Sequence, residues 1–171
     1  GLAALYHNVN GTAPFKLINS TIRAGYYGLW CDGGSSASNK PRAHMIHSGN
    51  WYAGSVINQF CRATGYGNIT VMDSAAMSGP ANKITYGFYV EGLGEDTSEM
   101  TVDNSAFRNA GGTGFYCKDG KIRCKSVTIS EGNNGLIVDG VGSIHAMGSE
   151  ISDTVTIDHI KFLSSSSKIN F

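Results

Sequence analysis

The sequence predicts an all-β chain, a parallel β-helix (a solenoid) of coils about 22 residues long with loop insertions. Three observations predict it. A strand of the form Gly-Φ-Φ-Φ-acid-Gly, with Φ apolar or aromatic, recurs four times. A second strand signature precedes the first, third and fourth copies. Its apolar residues Phe107, Ile129 and Ile151 return at a steady interval of about 22 residues. Glycine is abundant, at 23 residues, while proline is rare, at 3, which suits tight corners between short strands rather than collagen or disorder.

The first copy of the motif is Gly28-Leu29-Trp30-Cys31-Asp32-Gly33, and the second is Gly87-Phe88-Tyr89-Val90-Glu91-Gly92. The third, Gly114-Phe115-Tyr116-Cys117-Lys118-Asp119-Gly120, is one residue longer, and the fourth is Gly135-Leu136-Ile137-Val138-Asp139-Gly140. The preceding signature appears as Ser20-Thr21-Ile22, Ser105-Ala106-Phe107 and Val127-Thr128-Ile129, and Ser149-Glu150-Ile151 continues the series. Gly-rich corners are read at 24–28, 63–67, 110–114 and 131–135. A third short strand follows the motif at Lys121-Ile122-Arg123-Cys124 and at Ser143-Ile144-His145-Ala146. Three strands per period make one coil. A single coil cannot bury its inward side chains alone, so coils must stack, at ~4.8 Å, around a shared core. A β-sandwich also spaces strands this closely, but it has no reason to repeat one hexapeptide at coil-sized intervals.

Loops are expected at 33–41, 78–82 and 94–98. The β-helix is expected over 1–155, and the stretch 156–171 as a strand, a cap or an exit segment. The opening Gly1-Leu2-Ala3-Ala4-Leu5-Tyr6 reads as the middle of a strand pattern with no leader, as in an excised or processed piece.

Composition narrows the function classes. Lys plus Arg and Asp plus Glu number 13 each, so the formal net charge is zero. That argues against nucleic acid as a partner and against a polybasic membrane anchor, and no stretch is apolar for long enough to span a bilayer. Charged residues make up only 15%, against about 25% in an ordinary soluble domain. Cys31, Cys61, Cys117 and Cys124 fit no zinc spacing and are expected as free, buried thiols. The pair His44 and His47 would point to opposite faces of a strand, so no metal and no cofactor is expected.

Alternation along the motif strand assigns directions. Leu29, Phe88, Phe115 and Leu136 form one inward column, and Cys31, Val90, Cys117 and Val138 a second. Trp30, Tyr89, Tyr116 and Ile137 form an outward column beside an acidic one of Asp32, Glu91 and Asp139, with Lys118 and Asp119 sharing its slot in the longer copy. Trp30, Tyr89 and Tyr116, together with Trp51 and Tyr52, are the candidate ligand-binding or interface residues. A straight aromatic stripe marks either a packing seam with another chain or a platform for sugar rings. Asp32, Glu91, Asp119 and Asp139 are the candidate catalytic acids. Glycoside hydrolysis needs carboxyls ~5 Å apart, or ~6.5–9.5 Å apart with inversion, and stacked coils can set either separation. An acid before glycine is equally a plain turn residue, which is the reading preferred here.

The Gly-Leu-Ile-Val-Asp-Gly type of strand, the Ser-x-Ile/Phe strand before it and the Gly/Asn corners resemble the pectin-lyase-like right-handed parallel β-helix superfamily. Within it, the low charge and high Ser and Gly content look most like phage tailspike and tail-fibre proteins. The resemblance covers roughly residues 15–155. It implies a homotrimer of side-by-side β-helices, contact with a host cell-surface glycan, a place in the virion tail, and assembly in a reducing cytosol that leaves cysteines unpaired. A secreted or cell-surface adhesin is the alternative setting. Polygalacturonase-like members carry paired aspartates, a His-Gly and an Arg-x-Lys. Arg123-Cys124-Lys125 matches the last alone, and no Asp-Asp or His-Gly occurs here. The resemblance therefore implies a structural and receptor-binding segment first, and a polysaccharide depolymerase, hydrolase or lyase, second.

Overall fold

The structure is a computed structural model, and it describes residues 3–8, 13–22, 24–38, 40–50, 55–78, 84–94, 96–109, 112–152, 155 and 157–171. It is an all-parallel β-solenoid of about five turns. The motif strands form one sheet of seven, running from Ala3–Asn8 through Ala24–Asp32, Ser55–Gly65, Tyr86–Gly92, Thr113–Lys118 and Asn134–Asp139 to Asp158–Phe162. A second sheet of seven contains Phe15–Ile18, Arg42–Ile46, Asn68–Met72, Glu99–Asp103, Lys121–Lys125, Ser143–Met147 and Lys168–Asn170. A third sheet of five contains Gly49–Asn50, Ala75–Ser78, Ala106–Asn109, Thr128–Ser130 and Glu150–Ile151. From Ala24–Asp32 to Glu150–Ile151 the chain visits the motif sheet, the second sheet and the third sheet in that order, coil after coil.

Parallel pairing in register is what turns the sequence repeat into columns. Phe88 pairs with Phe115 and Phe115 with Leu136, while Phe107 pairs with Ile129 and Ile129 with Ile151. Both inward columns of the motif strand are buried as expected, with Leu29, Phe88, Phe115, Cys31, Val90, Cys117 and Val138 fully inaccessible. The rings of Phe88 and Phe115 stack with centroids 4.7 Å apart, and Phe60 and Phe107 pack edge-on against Phe88. All four cysteines are free and buried. Burial pushes the thiols of Cys31 and Cys117 up to about 12, which leaves them protonated and inert at neutral pH. The stretch 158–170 supplies a strand each to the motif and second sheets, with Ile160 beside Leu136 and Ile169 beside Ile144.

One coil was hidden in the sequence. Leu29 pairs with Cys61 and Cys61 with Phe88, so Phe60-Cys61-Arg62-Ala63-Thr64-Gly65 is a motif strand. Its Phe60 stands where the other copies have glycine, Arg62 where three of the four have an aromatic, and Thr64 where three of the four have an acid. Residues 63–65, expected in a corner, therefore end a strand. Gly65 turns the chain at φ +63, where an added Cβ would also collide with the Gly34 carbonyl.

The corner between the second and third sheets is a stack of left-handed residues. Asn19, His47, Asp73, Asn104, Ser126 and Gly148 all have φ between 43 and 54. Each except Gly148 bonds the next coil through its backbone, for instance His47 N–H to Met72 O and Asn104 N–H to Lys125 O. A serine follows most of them. Ser48, Ser74 and Ser105 are buried, and each hydroxyl donates to the carbonyl two residues back while accepting an amide N–H from the preceding coil. This ladder gives the buried backbone amides at the corner their acceptors.

Candidate functional site

The outer face of the motif sheet carries the residues singled out above. Its middle column runs Tyr6, Trp30, Arg62, Tyr89, Tyr116, Ile137 and Lys161. Tyr27 and Tyr86 stand on the same face, three residues ahead of Trp30 and Tyr89. The expected outward column is present, and it is longer and more aromatic than the motif alone showed. Trp51 and Tyr52 lie outside the described residues.

Parallel register forces like side chains into contact one coil apart, and the rings use it. Tyr89 and Tyr116 stack with centroids 5.1 Å apart and planes 5° apart. Tyr86 leans on both, at 5.4 and 5.1 Å. Trp30 is flanked by Tyr6 at 4.8 Å and Tyr27 at 5.2 Å. Arg62 joins the two groups. Its guanidinium lies 4.9 Å from the Tyr27 ring and 5.1 Å from both Trp30 and Tyr89. Its Nη1 donates to Gln59 Oε1 at 3.0 Å, and its Nη2 lies 3.4 Å from Glu91 Oε2. Half-buried guanidinium over aromatic faces is attractive in proportion to its desolvation.

The neighbouring column reads Asp32, Thr64, Glu91, Lys118, Asp139. Carboxylates therefore alternate with a hydroxyl and an ammonium, so no two of these acids occupy adjacent coils. Lys118 takes the slot, and Asp119 falls one residue on, at the corner, with φ 50. Each acid is held by its surroundings. Asp32 accepts from the Tyr6 hydroxyl at 3.0 Å, the Thr64 hydroxyl at 2.9 Å and the Gly34 amide at 3.1 Å. Trp30 Nε1 donates to Thr64 Oγ1 at 2.9 Å, which extends the chain of bonds to the indole. Glu91 accepts from the Tyr89 hydroxyl at 3.1 Å and faces Lys118 Nζ at 3.6 Å. Asp139 accepts from the Tyr116 hydroxyl at 3.1 Å and the Gly140 amide at 2.8 Å, and Asp119 accepts from the Val141 amide at 2.9 Å. Burial first, then the adjacent carboxylate, pushes the Tyr89 and Tyr116 phenols well above the ordinary tyrosine value, so both remain donors.

These partners decide what the face can do. Its acids are fixed acceptors locked into phenol, hydroxyl, amide and cation contacts. A catalytic pair one coil apart, at the ~5 Å needed for a covalent intermediate, is not provided by this column. Across two coils the separation is about twice ~4.8 Å, with Thr64 or Lys118 in between. Nor can the Tyr89 ring offer a free face to sugar, since it is covered by Tyr116 on one side and Arg62 on the other. Yet the columns frame an open cleft of about 510 Å³ that brings together Trp30, Asp32, Arg62, Thr64, Glu91, Lys118 and Asp119. Asp139 is not among the residues lining it. Among the described residues no group of three or more His, Cys, Asp or Glu side chains could hold a metal ion. Arg62, the cleft's central residue, escapes a sequence reading because its strand breaks the motif at three positions. The register of Cys61 and Ala63 against the two inward columns is the signal that finds it.

No protein-family model, no curated protein and no solved structure matches this chain.

Proposed function

We propose that this chain is a structural and receptor-binding segment of a phage tail fibre or tailspike, homotrimeric, that contacts host surface polysaccharide from the virion tail. The observation that carries this reading is the open cleft of the motif face. Its Asp32 and Glu91 carboxylates, the Arg62 guanidinium and the Lys118 ammonium are fixed hydrogen-bonding groups of both kinds, held by ladder contacts before any ligand arrives. Preorganised polar groups of this sort suit sugar hydroxyls, because little ordering remains to be done on binding. The rigid solenoid beneath them, with its charge-poor surface, suits a static fibre element.

The depolymerase reading keeps one specific support, since Asp32, Glu91 and Asp119 line the same cleft. Incubation with a panel of capsular and lipopolysaccharide glycans separates the two. Retention of a glycan without new reducing or unsaturated ends is the expected result. Release of ends, abolished by Glu91→Gln, would make the protein an enzyme, and no binding across the panel would remove the receptor role. Light scattering at micromolar concentration is expected to give the mass of a trimer, and a monomer would remove the side-by-side assembly.

A further inference from the structure

The zero net charge of the chain conceals an uneven distribution. On the outer face of the second sheet, Arg42 and His44 sit on one strand, Asn68 and Thr70 beside them on the next, and Glu99 and Thr101 on the one after. With Lys40 and the turn at Asp96 and Thr97, they line a groove of about 390 Å³. Its two walls are not equivalent. The acidic wall is neutralised from behind, because Lys121 pairs with Asp96 and Arg123 Nε donates to Glu99 Oε1 at 2.6 Å. The hydrogen bond from Lys121, then its charge, also holds the Asp96 carboxyl below the usual carboxylate range. The cationic wall has no counter-ion among the described residues. Among the described residues Lys40, Arg42 and His44 make no ion pair and no side-chain hydrogen bond, and Lys40 merely overlies the Tyr66 ring at 5.9 Å. Between the walls, Asn68, Thr70 and Thr101 supply neutral donors and acceptors.

An uncompensated guanidinium beside a floor of amide and hydroxyl groups matches an anion carried on a polyol. The guanidinium fork takes the acid group through two bonds, and the floor takes the ring hydroxyls. We propose that this groove binds a sugar unit bearing a carboxylate or a phosphate, with Arg42 and Lys40 on the acid group and Thr70, Thr101 and Asn68 on the hydroxyls. No Phe, Tyr or Trp ring lines the groove, which favours a sugar over the stacked bases of single-stranded nucleic acid. The inference rests on the glycan-contact reading and adds to it a second contact face and a charge class, an acidic polysaccharide.

The test is calorimetric titration of the full chain with four probes: an oligoglucuronate, a sugar-phosphate oligomer, a neutral dextran oligomer and a single-stranded DNA oligomer. The same titrations are run on the double variant Lys40→Gln/Arg42→Gln, whose changes lie at exposed positions, and on Glu91→Gln in the motif-face cleft. Binding of a charged probe that weakens about tenfold or more in the double variant, and weakens with added salt, supports the groove. Preference between the first two probes identifies carboxylate or phosphate as the acid group. Equal binding of charged probes by wild type and double variant overturns the groove. So does single-stranded DNA binding as tightly as either charged sugar. Dextran binding that is lost in Glu91→Gln, with neither charged sugar bound more tightly than dextran, overturns the groove while leaving the receptor role intact. Binding of no sugar at all removes both.

Discussion

On the outer face of the motif sheet, Arg62 lies over three aromatic rings and beside a carboxylate. On the outer face of the second sheet, Arg42 has no acidic partner among the described residues. The same coils build both faces, and both arginines stand at outward strand positions. The difference comes from what the register places one coil away. For Arg62 the neighbours above and below are Trp30 and Tyr89. For Arg42 the next coil offers Asn68, whose side chain donates to the Tyr66 carbonyl instead. An outward cation in a solenoid is thus structural or available according to its column, and sequence neighbours do not decide which.

The comparison can be broken or sharpened by substitution, from the largest expected effect downward. Phe88→Ala empties a fully buried site beneath the motif face and should cost about 3–5 kcal/mol in chemical denaturation. A smaller loss would mean that the ladder above holds the sheet together without its core. Arg62→Ala should cost about 2 kcal/mol, since it removes three ring contacts and leaves Glu91 without its guanidinium. Ser74→Ala, in the corner between the second and third sheets, should cost about 1–2 kcal/mol because the Ser48 amide loses its acceptor. Arg42→Ala should stay within about 0.5 kcal/mol. If the two arginine variants are equally destabilising, the contrast between the faces is wrong.

Alkaline titration probes the motif-face phenols together with the buried thiols of the core. Tyr89 and Tyr116 have folded pKa values raised above the ordinary 10.0, so the stability they contribute is complete below that pH. It is lost as pH rises above it, because the unfolded chain releases the phenolic protons first. The denaturation midpoint should hold level up to about pH 9, where the core cysteines begin to ionise in the unfolded chain, and fall beyond it; above about pH 10 the fall should be shallower in Tyr89→Phe/Tyr116→Phe. An unchanged slope in that double variant would show that the ladder phenols are not the groups responsible.

Much of this was legible in the chain. The Gly-Φ-Φ-Φ-acid-Gly strand, its period and its alternation determined an all-β solenoid and named both buried columns, because inward positions must repeat apolar side chains wherever coils stack. They also placed Trp30, Tyr89 and Tyr116 outward, for the same geometric reason. The tertiary structure alone decided the rest. It put Arg62 into the aromatic column, since a strand whose motif is broken at three positions is recognised by its pairing partners and not by its letters. It converted the candidate acids into hydrogen-bonded ladder members, because whether a carboxylate is free depends on the residue one coil away. And it separated the cations of a neutral chain onto different faces, an arrangement that composition averages out and only the register of the coils restores.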